Sequence, residues 1–241
     1  MRDKALSGVY VDYFNETHGM VRDSMRRFVN EAVKPHIDEW EEAGAFPREI
    51  YPQAGGLGLL SIGHPTEFGG SGEQDVFLKV AASEELMRSG SGGFVASLGS
   101  LDIGLPPVWR TGSDALKARI VPQVLAGEKI IALAITEPSG GSDVANLKTR
   151  AVRDGDHYVV NGSKTFITSG ARADYYTVAV RTGEAGFGGV SLLLIEKGTP
   201  GFTVGRNLKK MGWWASDTAE LFFQDCRVPA DNLLGPENSG F

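Results

Sequence analysis

The chain has 241 residues, with 24 basic and 30 acidic side chains and a net charge of −6. That balance argues against a broad nucleic-acid-binding face, while leaving room for a local basic pocket that takes a phosphorylated ligand. The one cysteine, Cys226, excludes an internal disulfide framework and a cysteine-rich metal site, and in the alternating run ELFFQDCRV it reads as a small buried hydrophobe.

The opening MRDKALSGVY has charges but no apolar h-region, and no run approaches the ~20 apolar residues that span a bilayer. The chain therefore reads as soluble and cytoplasmic. NETHGMVRDSMRRFVNEAVKPHIDEWEEAG then places apolar residues at helical spacing from Met20 to Trp40. Asn15 or Thr17 can cap this helix, Gly44 can end it, and Pro35 kinks or splits it. PREIYPQAGGLGLL starts with a proline suited to a first helical turn. GEQDVFLKVAASEELMRSG is a third helix ending at Gly90. GGFVASLGSLDIGLPPVWRTG is a glycine-interrupted helix with a short one after Pro106, and SDALKARIVPQVLAGE is a helix capped by Ser113.

From about Ile130 the pattern changes to short runs rich in β-branched and aromatic residues, with turn signals at Asp154-Gly155 and Asn161-Gly162. Helices followed by strands, without alternation, predict an α+β chain: an all-helical bundle over 1–128, then an antiparallel β-barrel or sandwich over 129–241. A Rossmann fold is disfavoured, because no G-x-G-x-x-G follows a strand.

Three segments carry candidate chemistry. In IIALAIT, alternation puts Ile131, Leu133 and Ile135 on one face and Ala132, Ala134 and Thr136 on the other. The alanine face would leave a shallow hollow edged by a hydroxyl. Ser139, Gly140, Gly141 and Ser142 follow, a backbone able to approach a ligand and to offer N–H groups to anionic oxygens. The same residues also suit a plain polar loop with Asp143 in a turn. In NGSKTFITSG, Lys164, Phe166 and Thr168 share one face, so a ring could cover a planar ligand beside a hydroxyl. An ordinary half-buried strand has the same pattern. In LKKMGWWASDTAELFFQDCRVPADNLLG, Trp213 and Trp214 form either a cleft wall or a core-and-rim pair.

Together AITEPSGGSD, NGSKTFITSG and KKMGWWASDTAELFFQDCRVPADNLLG resemble the acyl-CoA dehydrogenase family. TEFGGSG (66–72) and IVPQVLAGE (120–128) resemble its helical-domain signatures, so the resemblance runs from about Tyr13 to Phe241. It implies a flavoprotein that holds FAD between its β-domain and a C-terminal four-helix domain. Carried over by position, Leu133, Ile135, Thr136, Gly141 and Ser142 line the flavin and its diphosphate, and Ser142 also faces the acyl-CoA thioester arm. Phe166, Ile167 and Thr168 lie against the isoalloxazine ring, with the Thr168 hydroxyl near its reactive nitrogen. Phe166 stands where many relatives have tryptophan, and Asn146 where they have a small residue. The loop TGEAGFGGVS lacks a serine that many relatives place there to meet CoA.

The implied reaction is α,β-dehydrogenation of an acyl-CoA thioester, with electrons passing from FAD to an electron-transferring flavoprotein. Relatives keep the catalytic base, usually a glutamate, in the C-terminal domain and are mostly homotetramers. No residue of this chain is assigned that role; Glu137 is read as an anchor for its loop. The 241-residue chain alone is thus expected to be inactive, as a fragment, a shortened chain or one part of a split enzyme. A non-catalytic flavin- or acyl-CoA-binding subunit, and an acyl-CoA oxidase, nitroalkane oxidase or flavin hydroxylase relative, are the alternative readings.

Overall fold

A computed structural model describes residues 13–72 and 75–241. The leader reading at 1–10 and the Glu73-Gln74 start of the third helical segment lie outside the described residues.

Helix α1 (Glu16–Phe28) begins at a reciprocal cap. The Asn15 side chain accepts from the His18 N–H at 3.2 Å, and His18 Nδ1 accepts from the Asn15 N–H at 2.9 Å. A histidine thus does the work of the usual Glu or Gln of a capping box. Pro35 splits the long predicted helix: it has no N–H to give, and the chain passes through a π turn (Val29–Val33) and a 3-10 turn (Lys34–His36). Helix α2 (Ile37–Ala43) then ends at Gly44, whose φ of 73° is the left-handed stop that the sequence predicts. Pro47 sits a turn ahead of α3 (Ile50–Gly56) rather than inside it. Helix α4 (Val76–Met87), α5 (Gly92–Leu98), α6 (Leu101–Gly104), α7 (Pro106–Thr111) and α8 (Asp114–Leu125) follow, α8 capped by Ser113.

Strands β1 (Ile131–Ala134), β2 (Arg150–Asp154), β3 (His157–Thr168), β4 (Tyr175–Arg181), β5 (Val190–Glu196), β6 (Phe202–Asn207), β7 (Thr218–Pro229) and β8 (Leu233–Leu234) form one sheet, ordered β6-β7-β3-β2-β4-β5-β8 with β1 beside β4. The helices-then-strands order is as expected. The sheet is mostly antiparallel and is not closed into a barrel; it folds over so that Tyr176 of β4 meets Phe202 of β6, with ring centroids 4.8 Å apart. Its parallel pairings are β1 with β4 and the single pair Arg150–Arg181 between β2 and β4.

One turn signal is overturned. Gly155 (φ 60°) does turn the β2–β3 hairpin, but Asn161-Gly162 lies inside β3, at a register shift against β7. The Asn161 side chain is spent across the sheet, donating to Asp225 Oδ1 at 3.1 Å and accepting the Asp225 N–H at 2.9 Å. A Cβ on Gly162 would stand 2.7 Å from Thr149 Cα, so the glycine admits a close crossing instead of a turn.

The larger hydrophobic core runs through both halves, from Met25, Phe46 and Phe94 to Ile131, Tyr176 and Phe202, and a smaller cluster gathers Leu147, Ala179 and Val190. The seam is α6 against β1. A Cβ on Gly104 would lie 3.2 Å from the Ala132 carbonyl carbon; Ser100 Oγ donates to Ile131 O at 3.1 Å and Thr177 Oγ1 to Gly104 O at 2.7 Å. Ala132 and Ala134 are fully buried. The hollow predicted on the alanine face is therefore filled: the small side chains let a helix backbone approach, and no ligand fits there.

Candidate functional site

The site grows from a buried ion pair. Lys164 is wholly buried in β3, and its Nζ donates to Ile135 O and to Glu137 Oε1, both at 2.9 Å. Glu137 Oε1 also accepts the Thr149 N–H at 2.8 Å, and Oε2 accepts the Lys148 N–H at 2.6 Å. Burial would push the Glu137 carboxyl up, but the bonds from Lys164, Thr149 and Lys148 outweigh it and hold the pKa down at about 2. Burial pulls Lys164 down to about 8, against the opposing pull of Glu137. One carboxylate thus ties both ends of the loop 138–147 to β3, the anchoring role read for Glu137 in the sequence.

Alternation fails in β3 next to this pair. The register against β7 shifts between Lys164 and Ile167, and Phe166 takes a φ of 58°. A bulge of this kind re-aims side chains. Lys164 and Phe166, predicted on one face, part company: the lysine goes to the core and the ring goes out, 67% exposed. Ile167 is buried, while Thr168 is half-buried.

Other predicted residues gather at the same edge. The Thr165 N–H donates to Thr136 O at 2.9 Å, joining the end of β1 to the bulge. Leu133, Ile135 and Thr136 are half-buried, and Gly141 and Ser142 are exposed. A Cβ on Gly141 would sit 3.2 Å from Thr136 Cγ2, so the loop folds back over the threonine. Among the described residues, the Gly141 and Ser142 N–H groups make no bond to another backbone group. The result is an exposed ring, half-buried hydroxyls and free backbone donors on one rim. That set suits a planar aromatic ligand with polar edges and anionic oxygens, and FAD fits it.

Both tryptophans are at the surface, Trp213 60% and Trp214 49% exposed, so the core-and-rim reading fails. Trp213 has a φ of 58°, and a Cβ on Gly92 would meet its Nε1 at 2.5 Å, so the loop leans on the start of α5. Cys226 is buried, its thiol pushed up to about 11 by burial, as its strand position predicts. No metal-holding cluster of His, Cys, Asp and Glu occurs among the described residues. None of their helices is long and apolar enough to cross a membrane.

Sequence reasoning missed the weight of Lys164 and of Arg181, which is buried at the end of β4. The available signal was a lone cation inside an apolar strand run, since such a group is buried only when its donors are used.

Residues 15–128 match the family described as "Acyl-CoA dehydrogenase, N-terminal domain", and residues 132–226 match "Acyl-CoA dehydrogenase, middle domain". The long-chain specific acyl-CoA dehydrogenase, mitochondrial, of Sus scrofa is 43% identical over 231 residues, 95% of this chain and 53% of that protein. The chain thus spans about half the length of the curated relatives it matches. The crystal structure of a probable acyl CoA dehydrogenase from Mycobacterium abscessus is 53% identical with a TM-score of 0.92, over 95% of this chain and 61% of that one. A glutaryl-CoA dehydrogenase from Mycobacterium smegmatis in complex with FADH2 is 31% identical with a TM-score of 0.84, over 93% of this chain and 56% of that one.

Proposed function

The chain belongs to the acyl-CoA dehydrogenase family, whose members are FAD-dependent, and on that premise we propose that it carries the flavin-facing part of an enzyme that dehydrogenates acyl-CoA thioesters at the α,β carbons. The observation that carries this reading is the bulge that leaves the Phe166 ring exposed next to Thr165, whose N–H meets Thr136 O where the Gly141 loop folds back over that threonine.

In this reading Leu133 and Ile135 form the apolar floor, Ile167 lies beneath the ring, and Phe166 shields a ring face from water. Thr136 and Thr168 orient the ring edge. The Gly141 and Ser142 N–H groups favour anionic oxygens, and Ser142 also meets the thioester arm. When bound, FAD supplies the acceptor for the hydride that leaves the β-carbon. The α-proton needs a carboxylate whose pKa is raised by a desolvated site. Glu137 is a poor candidate, because its donors lower its pKa to about 2, which makes it a weak base, and both its oxygens already accept hydrogen bonds. We assign the base to a further, helical part of the enzyme. An electron-transferring flavoprotein as acceptor and a homotetrameric assembly follow from the same reading.

We place the boundary between the two units at 128/129, supported by the end of α8 at Leu125 and the start of β1 at Ile131. The cytoplasm is our proposed compartment; the pig relative's mitochondrial name makes organelle fractionation the direct check.

The test is an FAD titration followed by flavin fluorescence. Saturable quenching is expected in the native protein, weaker by on the order of tenfold in Phe166→Ala, since an aromatic stacking contact is worth roughly 1–3 kcal/mol. Absence of binding by the native protein would sink the proposal.

A further inference from the structure

Two non-glycine residues with left-handed backbone stand on either side of Ile167-Thr168: Phe166 with a φ of 58° and Ser169 with a φ of 59°. Such conformations are strained and persist only where the surroundings hold them. At Phe166 the shifted register against β7 does so. At Ser169 the chain makes a tight turn. The Gly170 N–H donates to Ile167 O at 3.0 Å and the Ala173 N–H to Ser169 O at 2.8 Å, and a Cβ on Gly170 would stand 2.7 Å from Ile167 O.

Asp217 clasps this turn. It is buried, one residue before Thr218, which pairs with Thr168. Its backbone oxygen accepts the Ser169 N–H at 3.0 Å. Its Oδ2 accepts the Ala171 N–H at 2.8 Å and the Arg172 N–H at 3.3 Å, and its Oδ1 lies 2.8 Å from Arg172 Nε. Three hydrogen bonds and an ion pair from one buried residue exceed what a plain surface turn needs, since water can satisfy such a turn. The clasp is itself braced by the helical half. Arg172 Nη1 donates to Phe46 O at 3.2 Å, and its guanidinium carbon lies 4.6 Å from the centroid of the Phe46 ring. Ser97 Oγ of α5 donates to Ser216 Oγ at 3.0 Å, and Glu41 Oε2 of α2 accepts the Ala215 N–H at 3.1 Å.

We propose that Asp217, with Arg172 as its partner, is a positioning residue for the flavin edge: by holding the left-handed turn at Ser169 it fixes the aim of the Thr168 hydroxyl. This rests on the proposed function, which sets Thr168 against the ring edge. It makes the helical half a part of the flavin site, acting through the turn.

The test is a double-mutant cycle read on bound FAD, through its visible absorption bands and its dissociation constant. Thr168→Val removes the hydroxyl and is expected to shift the bands and weaken binding by on the order of tenfold, the scale of one hydrogen bond lost. Asp217→Asn should cause a change of the same kind in the native background and no further change in the Thr168→Val background. Additive effects would overturn the inference, because Asp217 would then act on folding alone. A native spectrum and native affinity in Asp217→Asn would overturn it too. If Asp217→Asn does not fold, Arg172→Lys enters the same cycle with the same expectations. If Thr168→Val binds FAD with native bands and affinity, the inference falls and the flavin reading stands. If the native protein binds no FAD, both fall together.

Discussion

Glu85 and Glu137, a buried carboxylate from each half of the molecule, are compensated in opposite ways. Glu85 in α4 is buried, but its partners reach it from the solvent side: Arg26 at 2.6 and 3.0 Å, Arg88 at 3.5 Å and Arg22 at 3.9 Å. Glu137 has a single cationic partner, Lys164, and that lysine is as buried as the carboxylate. The helical half spreads its compensation over several flexible arms that water can replace. At Glu137 the compensation is concentrated in one pair buried on both sides. Redundancy suits a surface that only holds helices together; a single fixed pair suits a loop whose position matters.

The comparison breaks most visibly at Lys164. Lys164→Met leaves Glu137 buried without its cation, and a loss of about 3–5 kcal/mol is expected, read as a lower denaturation midpoint. A loss below 1 kcal/mol would mean that water reaches the pair.

Acid probes the same pair without mutation. The folded pKa of Glu137, about 2, lies below its ordinary 4.5. Ionised Glu137 therefore stabilises the fold fully above pH 4.5, and this contribution fades as the pH falls from 4.5 toward 2. It amounts to about 3 kcal/mol at 1.36 kcal/mol per pKa unit. Glu137→Gln should flatten that limb of the stability-against-pH curve, and an unflattened limb would place the acid sensitivity elsewhere.

The smallest effect belongs to the redundant cluster. Arg26 is 45% exposed, and Arg22 and Arg88 remain when it is lost. Arg26→Ala should cost about 1 kcal/mol, read in the same denaturation series. A cost as large as that of Lys164→Met would erase the distinction.

What the sequence discloses divides along the same line. Asn15, Gly44, Ser113 and Pro35 act on their own turns, so the helix ends could be read locally. Asn161-Gly162 could not, because Asp225 and Thr149 decide its geometry from distant stretches of chain. The openness of the sheet likewise depends on how β6 and β8 end up unpaired at its two edges. At the site, the residue types of the loop were legible. The bulge was not: no neighbour of Phe166 in sequence announces a φ of 58°, and the pairing of Ile167 with Ala219 imposes the shift. The tryptophan pair stays open between a cleft wall and a core-and-rim pair in the sequence, because aromatic content alone does not say which side of a loop faces α5.

The contact between Gly104 and Ala132 has a mechanical meaning. Most elements in a protein meet through long side chains, which yield like springs. Here a helix backbone rests on a strand backbone, with hydroxyl bonds from Ser100 and Thr177 on either side. Between α6 and β1 there is thus no flexible side chain to take up a shift, and β1 leads directly to the loop anchored by Glu137. The joint is stiff where most contacts between elements are compliant.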